Sequence, residues 1–213
     1  MIIAVDGPAA AGKGTLSRRL AEALDYAWLD TGSLYRAVGL QVLRSGGDPL
    51  SATDAALASK HIDHSLLAEP DLRREDVGSA ASKVAAIPEV RYNLLKFQRD
   101  FAQYPPHGKA GAVLDGRDVG TVICPDAAVK FFITASAEER AKRRTLEIEG
   151  RGEAVNYADI LADVKKRDDR DMNRKDAPLK PAADAHLLDT TNLAIDAVFD
   201  RALDLVNQAK ASK

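Results

Sequence analysis

The stretch Met1-Ile2-Ile3-Ala4-Val5-Asp6-Gly7-Pro8-Ala9-Ala10-Ala11-Gly12-Lys13-Gly14-Thr15-Leu16-Ser17-Arg18 decides how the chain folds. Met1 to Val5 is a short apolar, β-branched run with strand character, and Asp6-Gly7 closes it. Gly7 to Thr15 is rich in glycine and alanine, and a helical pattern begins at Leu16-Ser17-Arg18-Arg19-Leu20. In a strand–turn–helix of this kind the backbone N–H groups of the turn and of the first helical turn converge on one spot. Partial positive charge collects there and favours phosphate. Lys13 adds a mobile full charge for the outer phosphates. Gly7 and Gly12 permit backbone angles and close approach that a Cβ would forbid. Gly7, Pro8, Ala9, Ala10, Ala11, Gly12, Lys13, Gly14 and Thr15 are therefore assigned to bind a nucleoside triphosphate, in the manner of a P-loop. Gly14, not Ser or Thr, follows the lysine. No side chain is accordingly assigned as a direct metal ligand, and Thr15 is expected on phosphate.

Working outward, Leu16, Leu20 and Leu24 share one face of a first helix, and Tyr26 to Asp30 reads as a second strand. Asp30-Thr31-Gly32-Ser33 is suited to cap a helix with Leu34, Val38 and Val42 inward and Tyr35 and Arg36 in its first turn. A cation there opposes the helix dipole, so Arg36 is a candidate ligand for an anion. Asp54 to Ser59 and Asp71 to Ala86 are helical in pattern. Glu89 to Gln103 is another helix, with Val90, Leu94, Phe97 and Phe101 as its apolar stripe and Arg91 on the flank. Ala112 to Leu114, Val129 to Thr134 and Ala185 to Asp189 complete five strands. Ser136 caps a helix from Ala137 that breaks at Gly150-Arg151-Gly152, a candidate hinge; a helix from Tyr157 to Met172 and an amphipathic one over Ile195 to Val206 follow. Strands alternating with helices predict an α/β fold: a five-stranded parallel sheet of P-loop NTPase type, helices on both faces, right-handed crossovers.

Composition narrows the partners. The 213 residues carry 46% hydrophobic and 29% charged residues with a net charge of −2, which lacks the basic footprint of a nucleic-acid binder. Cys124, the only cysteine, excludes an internal disulfide and reads as a small buried hydrophobe. No stretch is long and apolar enough for a bilayer span or a signal segment, so the expected location is the cytoplasm. His61 and His64 have no companions at metal-ligand spacing.

Two charged constellations stand out. Asp115-Gly116-Arg117-Asp118 closes an apolar strand at its C-terminal end, where open parallel sheets place functional groups. Arg167, Asp171 and Arg174 recur at i, i+4 and i+7 and so project from one side of a helix. Arginines scattered over Arg36, Arg91, Arg117, Arg167 and Arg174 suit a second phosphate-bearing substrate, because the planar guanidinium grips phosphate oxygens in pairs.

Val5-Asp6-Gly7-Pro8 with Gly12-Lys13-Gly14-Thr15, Leu29-Asp30-Thr31-Gly32 with Tyr35-Arg36, Asp115-Gly116-Arg117-Asp118-Val119-Gly120-Thr121-Val122, and Arg167-Asp168-Asp169-Arg170-Asp171 with Asn173-Arg174 together resemble the bacterial cytidylate kinases. The resemblance runs from Met1 to the final helix. It implies a monomeric enzyme that phosphorylates CMP and dCMP from ATP with Mg²⁺, the ion held through water. It also implies one domain over 1–213: a core of about 1–45, 108–146 and 183–213, a helical monophosphate-binding insertion of about 46–107, and a lid of about 147–182. Lys13, Arg117 and Arg167 would be catalytic. Arg36 and Arg117 would hold the acceptor phosphate, with Thr31 and Tyr35 beside it. Ser82, Arg91, Asp118 and Arg174 would read cytosine, Arg167 and Asp171 would meet the sugar, and Arg143 would belong to the lid over ATP. In that comparison the segment from Lys60 to Asp76 is short, with room at 65–74 for little more than a loop. The rival readings are a small P-loop kinase for UMP, AMP or a metabolite such as shikimate, and a nucleotide-dependent switch. No guanine-reading Asn-Lys-x-Asp motif supports the switch.

Overall fold

A computed structural model describes residues 1–211. Five strands, β1 (Ile2–Asp6), β2 (Ala27–Asp30), β3 (Ala112–Gly116), β4 (Val129–Thr134) and β5 (His186–Asp189), form one sheet in the order β2-β3-β1-β4-β5. All neighbours pair in parallel. The expected α/β architecture is the one observed.

β1 is central, so its side chains meet protein on both faces. Ile3 and Val5 join Val113, Phe131 and Ile133 beneath α1 (Lys13–Leu24) and a C-terminal helix, Ile195–Ala211. Ala4 turns the other way, with Leu29, Leu114 and Ile123. Parallel strands covered on both faces read as continuous apolar runs for this reason.

Between β2 and β3 the chain builds a helical layer: α2 (Thr31–Arg44), α3 (Ala52–Lys60), α4 (Glu75–Val84) and α5 (Pro88–Gln103). Leu34, Val38, Val84, Val90 and Leu94 make its separate core. α6 (Ala137–Glu149) and α7 (Tyr157–Asn173) pack on each other through Ala141, Ile148, Ile160 and Val164. The last helix, Ile195–Ala211, is α8.

Several boundaries differ from the sequence reading. The Asp71–Ala86 stretch is helical only from Glu75, and two short 3₁₀ turns, His64–Ala68 and Pro70–Arg73, precede it. Pairing with β1 and β2 carries β3 on to Gly116, so Asp115 is buried within a strand, not in the turn beyond it. Asp30 occupies the N-cap of α2 without a side-chain cap bond, and Arg36 lies in the second turn of that helix. On α5 the inward row is Val90, Leu94, Gln98 and Ala102. Gln98 is 1% exposed and donates to the Leu94 carbonyl (3.0 Å), whereas Phe97 is 37% exposed. The α-helical step of 100° selects the inward row against tertiary neighbours, and the apolar content of a position does not override it.

Candidate active site

At the end of β1 the chain turns under β4. A Cβ at Gly7 (φ +146°) would lie 1.9 Å from the Ile133 carbonyl oxygen, so only glycine fits. The turn ends at Gly12, the left-handed N-cap of α1, and the first turn of that helix carries no acidic residue. Its N–H groups are left to face an anion. Lys13 folds back so that Nζ donates to the Pro8 carbonyl (2.8 Å). Burial, then the Arg117 charge, push its pKa down to about 7, so a bound polyphosphate would favour its charged form. Ala11, Gly12 and Thr15 share a cavity with Arg143, Thr190 and Leu193. Arg143 Nη1 donates to Thr190 Oγ1 (3.0 Å) and Nη2 to the Thr190 carbonyl (2.6 Å), while Thr190 Oγ1 donates to the Ala11 carbonyl (3.1 Å).

A second cavity shares no lining residue with the first, but its Arg117 and Arg167 are close enough for their charge to act on Lys13. Thr31, Tyr35, Ser82, Arg91, Arg117, Asp118, Arg167, Asp171 and Arg174, far apart in sequence, all line it. Asp118 pairs with Arg91, and Arg174 Nη2 lies 3.5 Å from Asp118 Oδ1. Arg91 also sits over the Tyr35 ring, 5.6 Å from its centroid. Asp171 accepts from Ser82 Oγ (3.1 Å) and Arg117 Nε (2.9 Å). Burial works to raise its pKa, but Arg117 and Arg167 more than offset this and hold Asp171 below the ordinary carboxylate range. Thr31 Oγ1 donates to the Asp115 carbonyl (2.8 Å).

Four guanidiniums against two carboxylates leave this cavity with excess positive charge. Burial and the like charge of Arg117 lower the pKa of Arg167 to about 10, and burial and Arg91 lower that of Arg174. Arg167 Nε and Arg174 Nη2 are buried without a hydrogen-bond partner among the described residues. Charged donors held in this way are matched by an anionic, multiply accepting ligand.

Arg36 is the one expected acceptor residue outside this group. Its Nη1 donates to the Leu72 carbonyl (2.6 Å), and the side chain lines an adjoining cleft with Asp30, Ser33, Arg73 and Arg144. That cleft lies between the Pro70–Arg73 turn and α6, where Arg144 pairs with Glu75. Cys124 is buried, and burial pushes its thiol up to about 11.

Sequence reasoning missed the groups that hold the site from behind. Asp6, raised to about 6 by burial, accepts from the N–H groups of Val119 and Gly120 (2.7 Å each) and so anchors the start of the helical turn Val119–Ile123. Trp28 Nε1 donates to Asp115 Oδ2 (2.8 Å). Burial, then Asp30, raise Asp115 to about 7. An acid closing a strand before a Gly-rich turn was the visible signal for Asp6; Trp28 offered none.

The family model "Cytidylate kinase" matches residues 3–208. The chain is 54% identical over 209 residues to a cytidylate kinase of Paramagnetospirillum magneticum, covering 98% of this chain and 99% of the relative. It is 56% identical over 208 residues to one of Granulibacter bethesdensis, covering 98% and 97%. Among solved structures, that of an uncharacterized protein from Eubacterium ventriosum superposes with a TM-score of 0.56 at 15% identity, covering 97% of this chain and 98% of the other, and shares the fold. With the P-loop, the arginine-lined cavity and a match over nearly the whole length, the chain belongs to the cytidylate kinase family.

Proposed function

We propose that the protein transfers the γ-phosphoryl group of ATP to CMP and dCMP, giving ADP and CDP or dCDP. The observation that carries this reading is the cavity beside the phosphate turn, in which Arg91, Arg117, Arg167 and Arg174 face Asp118 and Asp171. Its mixture of charged donors with two acids suits a ligand that is anionic at one end and hydrogen-bonding at the other, as a nucleoside monophosphate is.

In this reading Gly7 to Thr15 and Arg143 hold ATP, while Arg117 and Arg36 take the acceptor phosphate, Arg36 by turning from the Leu72 carbonyl. Thr31 and Tyr35 wall the pocket. Ser82, Arg91, Asp118 and Arg174 read cytosine, and Arg167 and Asp171 meet the sugar. The attacking atom is a phosphate oxygen already ionised near neutral pH, so no general base is needed. Lys13, Arg117 and Arg167 instead hold the reactants in line and stabilise charge on the transferring group. The residues fit a magnesium ion brought with ATP. Strand register sets Asp30 beside Asp115 at the ends of β2 and β3, and both carboxylates act on Lys13. Such oxygen donors suit a hydrated hard cation. Magnesium, when bound, would neutralise charge on the β- and γ-phosphate oxygens.

The segment 147–182 would serve as a lid that excludes water, with Gly152 (φ +79°) at its hinge. We take the enzyme to be a cytoplasmic monomer; no helix among the described residues is long and apolar enough to cross a membrane. An acceptor panel at fixed ATP and Mg²⁺ tests the reading. CMP and dCMP should be phosphorylated with kcat/KM at least about 10²-fold above UMP, AMP and shikimate. A preference for any of those three overturns it.

A further inference from the structure

We infer that Arg140 and Asp168 form a positioning pair that, with the 147–182 lid closed, fixes the distance between the ATP-binding turn and the arm of α7 that faces the acceptor. Arg140 lies in the first turn of α6 with a side chain only 4% exposed. Its Nε donates to the Ala135 carbonyl at the end of β4 (3.0 Å). Nη1 donates to the carbonyl of Ala9 within the phosphate turn (3.2 Å) and to Asp168 Oδ1 (3.0 Å), and Nη2 completes the fork on Asp168 Oδ2. One planar group therefore joins the sheet, the turn and α7.

Asp168 directly follows Arg167 and lies three residues before Asp171, both of which line the acceptor cavity. Neither Arg140 nor Asp168 lines that cavity or the one beside Thr15, so the pair acts through the groups it holds. The other end of the turn is tied to α6, the helix that carries Arg140, since Arg143 holds Thr190 and Thr190 holds the Ala11 carbonyl. A lysine in place of Arg140 has no fork to span a carbonyl and both carboxylate oxygens at once. In-line transfer is intolerant of misplacement, and an error of about 1 Å costs on the order of 10²-fold in rate. Loosening the pair should therefore slow transfer more than it weakens either nucleotide.

The inference rests on the proposed reaction. Failure of that reading would show first in the unmodified enzyme, as absence of CMP phosphorylation. The test uses full-length Asp168→Asn and Arg140→Lys, with thermal unfolding, kcat, and the Kd of ATP and of CMP each measured alone. Folded variants should lose about 10- to 100-fold in kcat while each Kd stays within about threefold of the parent. The double variant should be little worse than the poorer single, because both changes open one network. A folded Asp168→Asn with parental kcat, or weakened Kd with kcat intact, overturns the inference. If these variants do not fold, Asp168→Glu, which keeps the charge and displaces it by one methylene, carries the same measurements.

Discussion

The two halves of the cleft are built by opposite means. On the donor side one uninterrupted run, Gly7 to Thr15, presents backbone N–H groups, while Lys13 and, from α6, Arg143 supply full charge. On the acceptor side almost everything is side chain, gathered from α2, α4, α5, the loop after β3, and α7. Triphosphate is the same in every nucleotide, and main-chain amides fixed by a strand and a helix recognise it without regard to the rest of the ligand. Telling one monophosphate from another requires donors and acceptors at set positions, and only side chains differ enough for that. The acceptor side is correspondingly costly: burial depresses the pKa of Arg167 and Arg174, and two of their nitrogens make no hydrogen bond among the described residues.

The contrast can be broken most severely at Lys13. Lys13→Met should reduce kcat by roughly 10³-fold with either acceptor, since it removes charge from the transferring group itself. Circular dichroism and thermal unfolding should stay near those of the parent; retained turnover would end the distinction between the sides. Arg174→Met should act on one side only, lowering kcat/KM for CMP by about 10²-fold while the Kd of ATP, measured by calorimetry, is unchanged. If ATP binding weakens in parallel, the two sides are not separable units. Smallest is Ser82→Ala, which deletes one hydrogen bond to Asp171. Loss of about 1 kcal/mol corresponds to a roughly fivefold rise in KM for CMP, and steady-state assays on CMP and dCMP would read it.

The same division governs what the chain discloses before it is folded. The donor turn is legible because its parts are contiguous: strand, glycines, lysine and helix follow one another over Met1 to Leu20. Arg167 and Asp171 are legible because helical periodicity alone puts them on one face; Arg174 lies just beyond that helix, at its extended C-cap, and reaches the cavity from there. The basic run Arg140, Lys142, Arg143 and Arg144 is not. Its arginines leave in three directions, to Asp168, to Thr190 and to Glu75, and only tertiary contact decides which goes where. Asp6 stands out as an acid closing a strand, but its partners Val119 and Gly120 are more than a hundred residues away and only the fold discloses them. Ser82 in Ala80-Ala81-Ser82-Lys83 is indistinguishable from helix filler without the likeness to a known family, and the resemblance, not the pattern, brought it forward. On α5 the apolar pattern points to Phe97, whereas packing turns Gln98 inward and leaves Phe97 at the surface.

The glycine at the mouth of β1 has one more implication. With a carbonyl 1.9 Å from where its first side-chain carbon would stand, position 7 admits no variation, and the strand beneath is locked with it. A lineage founded on this scaffold can acquire new tastes only by redrafting the opposite bank, where residues from distant segments can be exchanged one at a time.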